Sequence, residues 1–305
     1  MDKLIPILQT VLPVFLALAV GVFARKTQFL SREHIDGMKK LVINITLPFV
    51  LFSAFASAEY STASLVLPAM QYLLCILALG LGFVILKLFR TKGRLAPFLA
   101  SGFEAGMLGY SLFILLFSEE KVPSFAVLDL GQTLFVFTLF KILLSGKTDF
   151  KTILKDMVTS PILWAVFAGV LTGATGLYQV QEVGDVLDAV CSFLSAPTGM
   201  VILLTVGYDL VLRQIPWKKT LGYIAMRLFV MAVILAITVL LNRTVLNGMI
   251  FEGAALLMVI LPPPYVIPVF ADEPAERVSI SSALSALTVV TLLLFTALSV
   301  IIGLQ

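Results

Sequence analysis

The sequence predicts an all-α membrane protein of ten transmembrane helices in two inverted five-helix repeats, with broken crossover helices at spans 4 and 9. Three observations carry this. Of 305 residues, 60% are hydrophobic and 13% charged, and the mean hydropathy is +1.06, far above the roughly 45–50% apolar share of soluble domains. The apolar residues fall into ten stretches of about the 20 residues that a helix needs to cross the hydrocarbon layer. Prolines and glycines recur at matching positions in the two halves.

The spans are 5–24, 40–58, 64–89, 95–117, 123–144, 160–178, 186–211, 219–241, 249–270 and 278–303. The first lies in MDKLIPILQTVLPVFLALAVGVFARK, which ends in basic residues and has no small-residue cleavage site. It reads as a retained span rather than a signal peptide. The loops RKTQFLSREHIDGMKK, KLFRTKGR, KILLSGKTDFKTILKD and RQIPWKK are rich in Lys and Arg, whereas those around AEY, SEEK and YQVQEVGD are acidic or nearly neutral. Placing the basic loops in the cytoplasm leaves only Lys3, Lys121 and Arg243 of the 21 basic residues outside, with Arg227 inside a span. Both termini then face outward. The loop ADEPAER is acidic yet cytoplasmic by alternation, and acidic residues weigh little in this rule.

Span 1 holds Pro13 and Gly21, and span 6 holds Pro161 and Gly169, each 148 residues further on. Pro48 of span 2 and Pro197 of span 7 are 149 apart. Span 4 reads LASGFEAGMLGYSLF, with Gly102, Gly106 and Gly109 around Glu104. Span 9 carries Pro262, Pro263 and Pro264 about 157 positions beyond, with Pro268 close behind. Five spans per half is an odd number, so the second copy enters the membrane upside down. The repeats are residues 1–148 and 149–305.

Three consecutive prolines remove three backbone donors and clash with the preceding turn. In lipid each orphaned group costs several kcal/mol, so the break must be buried in protein or line a cavity. Two breaks crossing near the midplane offer N–H groups at half-helix N-termini and carbonyls at C-termini, a combination that suits an anion and a cation.

With these motifs in place the chain resembles the auxin efflux carrier family, which includes bacterial carriers and the plant PIN proteins, within the bile acid/sodium symporter-like superfamily. The resemblance rests on NITLPFVLFSAF in span 2, DLGQTLFVF in span 5, TSPILWAVFAGVL in span 6, APTGMVILLTVGYDL in span 7, LPPPYVIPVFA in span 9 and SISSALSALTVVTLLL in span 10. It implies crossed broken helices in spans 4 and 9 and movement of small carboxylates. It further implies a scaffold of spans 1, 2, 6 and 7, a transport domain of spans 3–5 and 8–10, and pairing of two copies through the scaffold. One departure stands out. Where the family has Asn-Thr followed by Gly and Pro in span 4, this chain has Glu104, Ala105, Gly109 and Ser111, so the Asn that would receive a carboxylate is an acid here.

An ionisable group at bilayer depth costs about 2.5–3.5 kcal/mol on insertion scales and marks function by default. Glu104, at the break, is placed to hold Na+ or carry a proton. Asp129, Gln132 and Thr133 have spacing i, i+3, i+4 and share one face of span 5; in the sodium-coupled relatives spans 4 and 5 share ion ligands. Glu104, Asp129, Gln132 and Thr133 are therefore the candidate ion-coupling set, with Na+ as the one metal to consider. Arg227 either pairs with Asp209 near the cytoplasmic surface or helps neutralise an anionic substrate. Asn44 and Pro48 are candidates for the substrate path, and Gly106, Gly109, Tyr110, Pro262, Pro263, Pro264 and Tyr265 surround the breaks. Asp188 and Glu252, at outer span ends, read as solvated interface, and Lys141 as a snorkelling base.

The net charge of +3 is spread over short loops and gives a nucleic acid no electrostatic support. Cys75 and Cys191 lie in apolar runs without CxxC spacing, and His34 is the one histidine, so neither a disulfide framework nor a zinc site is expected. No cofactor is expected beyond a coupling ion. No span carries GxSxG, HExxH or paired aspartates, which argues against an enzyme. The leading function is a secondary active transporter in the plasma membrane. It would move a small organic anion, coupled to H+ or Na+, by alternating access. The rival is an uncoupled channel or uniporter, which would have no use for Glu104.

Overall fold

The computed structural model describes residues 4–58, 66–90, 93–145, 155, 158–210, 215–271 and 273–304, and every regular element among them is helical. Helix α1 (Leu4–Lys26) carries Pro13 within it. Helix α2 (Arg32–Ala56) starts at a capping box in which the Ser31 hydroxyl accepts from the His34 N–H and His34 Nδ1 accepts from the Ser31 N–H. Its middle widens into a π turn, Val42–Thr46, just ahead of Pro48, whose missing N–H and bulky ring forbid the ordinary i−4 bond.

Helix α3 (Val66–Leu88) is regular, but the next segment is not. A 3-10 turn (Ala96–Ala100), an irregular stretch over 101–104 and a π turn (Ala105–Gly109) precede the short helix α4 (Tyr110–Phe117). Helices α5 (Glu119–Leu144), α6 (Pro161–Ala174) and α7 (Gln181–Asp209) follow, α7 being interrupted at Ala196 and Pro197. After α8 (Trp217–Thr244), helix α9 (Glu252–Ile260) stops at the proline triplet. Residues 261–266 are irregular and lead through a 3-10 turn (Ile267–Phe270) to α10 (Pro274–Leu304). Neither 95–117 nor 249–270 is a continuous rod.

Six helical stretches among the described residues are long and apolar enough to cross a membrane: α2, α3, α5, α7, α8 and Ala275–Ile302 of α10. The segments around the two breaks fall short because the interruptions divide them.

Packing follows small residues. A Cβ on Gly21 would lie 2.0 Å from the Leu204 carbonyl, and one on Gly207 would lie 2.2 Å from the Leu18 carbonyl, so α1 and the second half of α7 cross backbone to backbone. The Gly169 position, 2.7 Å from the Phe52 carbonyl, does the same for α6 against Leu47–Ala56 of α2. Small residues at such crossings allow the close van der Waals approach that drives helix association in lipid, where apolar burial alone gives no gain. Around the breaks, α3 packs on α5 and on the Ala96–Ala100 turn, and α8 packs on α3, α9 and α10. Aromatic rings fill the space between α4, α5 and α9: Phe113 stacks on Phe125 at 4.8 Å, while Tyr110 meets Phe125, and Phe251 meets Phe117, edge to face at 5.0 and 5.1 Å.

Candidate functional site

The two breaks lie against each other. The Glu104 N–H donates to the Pro262 carbonyl at 2.8 Å, and the Tyr265 N–H donates to Glu104 Oε2 at 2.6 Å. Glu104 thus straddles the buried Pro262, Pro263 and Pro264, accepting at one end of the triplet and donating at the other. Gly102 makes the approach possible. Its φ is +67°, and a Cβ there would sit 2.8 Å from Pro264 Cγ, a conformation and a distance that no other residue accommodates without strain. Gly109 faces the Leu261 side chain at a corresponding 2.7 Å, and Gly106 faces Leu47 at 3.2 Å.

Arg227 reaches the same place from α8. It is 2% exposed, and its guanidinium donates to the carbonyls of Leu99 (3.4 Å), Gly102 (2.8 Å) and Leu261 (2.9 Å). Leu99 and Leu261 sit at the C-terminal ends of the Ala96–Ala100 turn and of α9, where helix geometry leaves acceptors without partners, and Gly102 lies in the irregular stretch just beyond the turn. The guanidinium carbon also lies 5.3 Å from the centre of the Phe103 ring. Arg227 does not pair with Asp209. That carboxylate is taken by Arg32, at 2.5 Å, and by Lys39, because Asp209 ends α7 beside the start of α2 while Arg227 lies deep in α8.

The span 5 residues form a second layer. Asp129, 5% exposed, accepts from the Tyr110 hydroxyl at 2.9 Å and from the Thr133 hydroxyl at 3.4 Å. Gln132 grips the backbone of Phe103, donating to its carbonyl at 2.9 Å and accepting from its N–H at 3.3 Å. The Tyr265 hydroxyl meets Thr288 at 2.9 Å. Further ties run from Ser101 to the Cys75 carbonyl and from Thr291 to the Ile260 carbonyl, both 2.6 Å.

A cavity opens on each side of these breaks. The larger, about 420 Å³, reaches the Ser57 end of α2 and is lined by Tyr110, Ser111, Ser195, Thr198 and Glu119 among others. The smaller, about 380 Å³, reaches the Arg32 end of α2 and is lined by Tyr265, Thr288, Ser281, Ser285, Lys39 and Asp209 among others. Each cavity therefore holds one of the two tyrosines that follow a break.

The structure brings Glu104, Gly102, Arg227, the proline triplet and Tyr265 together, with Tyr110, Asp129, Gln132 and Thr133 joined to them through Phe103. Asn44 stands apart: it is exposed and donates to the Lys40 carbonyl at 2.7 Å. Pro48 is buried at the π turn and lines neither cavity. Asp188 bonds Tyr178, and Glu252 pairs with Arg243 at 3.5 Å, both at the exposed surface. Sequence reasoning missed the buried hydroxyls of Ser111 and Thr198, which face the larger cavity without a hydrogen-bond partner. It also missed Thr288. The signal was there, since Tyr110 to Tyr265 and Thr133 to Thr288 are both 155 residues apart.

Residues 6–147 match a family described as membrane transport protein. The chain is similar to an uncharacterized transporter of Methanocaldococcus jannaschii, 29% identical over 72% of this chain and 73% of that protein. It is also similar to an uncharacterized transporter of Methanothermobacter thermautotrophicus, 25% identical over 67% of this chain and 68% of that protein. These similarities to membrane transport proteins, with several apolar spans, indicate a multi-pass membrane protein of the transporter kind.

Proposed function

We propose that the chain is a secondary active carrier that moves a small organic anion, a carboxylate, across the plasma membrane, coupled to H+ or Na+. In this reading it crosses the membrane ten times as two inverted repeats, 1–148 and 149–305, with both termini outside. Spans 1, 2, 6 and 7 form a scaffold, through which two copies pair, and the remaining spans carry the cargo by alternating access.

The observation that carries the reading is the meeting of the two breaks, with Glu104 on one flank, Arg227 on another, and a cavity opening towards each end of α2. A transporter needs a site reachable from either side in turn, and irregular backbone at membrane depth is tolerated where it serves such a site. The reciprocal glycine crossings of α1 on α7 and α6 on α2 support a two-fold scaffold. Cargo would be received around Gly106, Gly109, Tyr110, Pro262, Pro263, Pro264 and Tyr265, with the field of Arg227 favouring an anion. Glu104 and Asp129 would carry the coupling ion, helped by Gln132 and Thr133. Gln132 spends its amide on Phe103, so its help is to position the break.

The test is uptake into proteoliposomes over a panel of mono- and dicarboxylates, with a pH gradient and a Na+ gradient imposed separately. Accumulation above equilibrium under one gradient is expected. Equilibration without accumulation under both would favour the uncoupled uniporter or channel instead.

A further inference from the structure

Three backbone carbonyls from two separate breaks converge on one point, and a side chain occupies it. Leu99, Gly102 and Leu261 point their oxygens at the Arg227 guanidinium, the Phe103 ring covers one side, and the residue is 2% exposed. Converging carbonyls at half-helix C-termini, shielded from water, are the chemistry of a monovalent-cation seat. No acidic side chain touches the guanidinium among the bonds described, so the oxygens that hold it are uncharged dipoles. Arg227 Nε has no partner, so the group is held by its terminal nitrogens, as a cation is held by a cage, rather than by a two-pronged ion pair.

We propose that Arg227 is a tethered cation: its guanidinium permanently fills a seat for a monovalent cation at the meeting of the breaks, in place of a free ion. The inference rests on the carrier reading for its transport consequence, but the seat itself can be probed without any cargo. With Arg227 in place the two breaks are held together whatever the Na+ concentration. Without it the three carbonyls are orphaned in a buried site, and a diffusible cation of fitting size takes the place of the guanidinium. Arg227 is a positioning residue on this view, acting on cargo through the backbone it holds.

The experiment compares wild type with Arg227→Ala in detergent and in proteoliposomes, adding guanidinium chloride at low millimolar concentration, NaCl, or choline chloride as a control. Wild type should respond alike to guanidinium and choline, and any effect of Na+ on it reports on the coupling site. Arg227→Ala should melt at a lower temperature and transport about tenfold or more slowly, the scale expected for losing charge-assisted hydrogen bonds, and guanidinium or Na+, but not choline, should restore both. Arg227→Gln leaves a smaller opening and should respond to Na+ rather than to guanidinium, which keeps the question answerable if the alanine variant is not recovered. A recovered variant indifferent to both cations, or a wild type that responds to guanidinium as strongly as the variant, overturns the proposal. Absence of carboxylate uptake by wild type under either gradient would count against the carrier reading alone, because the melting shifts still report on the seat.

Discussion

The backbone N–H of Tyr265 donates to Glu104 Oε2 at 2.6 Å across a separation of 161 residues, so an acidic side chain of the first half of the chain holds the residue that follows the proline triplet of the second. The carboxylate thereby satisfies a backbone N–H that the irregular 261–266 stretch leaves without a helical partner.

Replacing Glu104 with Gln keeps the size of the side chain and removes its charge. Gradient-driven accumulation is expected to disappear while counterflow exchange of labelled for unlabelled cargo persists. Parallel measurement of both in the same vesicles decides it, and a variant that still concentrates cargo would remove Glu104 from the coupling step.

Asp129 and Tyr110 should be energetically coupled. Truncating Asp129 to Ala leaves a buried hydroxyl unpaired, and Tyr110→Phe leaves a buried carboxylate short of a donor, each costing about 1–3 kcal/mol. Thermal or denaturant unfolding of the two single variants and the double variant should give a double cost smaller than the sum by about 1 kcal/mol or more. Additive costs would mean that the 2.9 Å contact contributes nothing.

Gly102 and Gly106 look alike in sequence and should behave differently. Gly102→Ala forces a Cβ onto a backbone at φ +67° and 2.8 Å from a proline ring, and is expected to cost about 1–3 kcal/mol or to prevent folding. Gly106→Ala meets only the flexible end of Leu47 at 3.2 Å and should fold with a melting temperature near that of wild type. Equal destabilisation by the two substitutions would contradict the geometry of the break.

Asp209→Asn should matter little to stability despite its two basic partners. Arg32 is more than half exposed and the Asp209 side chain is 35% exposed, and solvated pairs of this kind are worth about 0–1 kcal/mol. A change in melting temperature equivalent to less than about 1 kcal/mol is expected, and it should shrink further at high salt.

What the sequence revealed and what it hid have separate physical causes. Breaks were legible because proline and glycine state their backbone consequences locally: Pro262, Pro263 and Pro264 end α9, and the irregular 101–104 stretch includes Gly102. The role of Arg227 was not legible, because its partners are carbonyls, which every residue possesses and no letter of the sequence advertises. Gln132 was hidden for the same reason, its bonds going to the Phe103 backbone. The setting of Asn44, a candidate for the substrate path, was hidden for another reason: it lies inside the π turn Val42–Thr46, whose extra residue rotates the side chains away from a regular register, and it is exposed.

The crossing of α1 over α7 has a mechanical consequence. With Gly21 and Gly207 each set against the carbonyl of the other helix, the two axes touch through main chain, and no rotamer change can loosen or lubricate that contact. Sliding one helix along the other would drive a carbonyl into a Cα. This pair is a keel: whatever slides, tilts or twists in the working protein does so against it, and stiffness here sets the precision with which the rest can return to the same place.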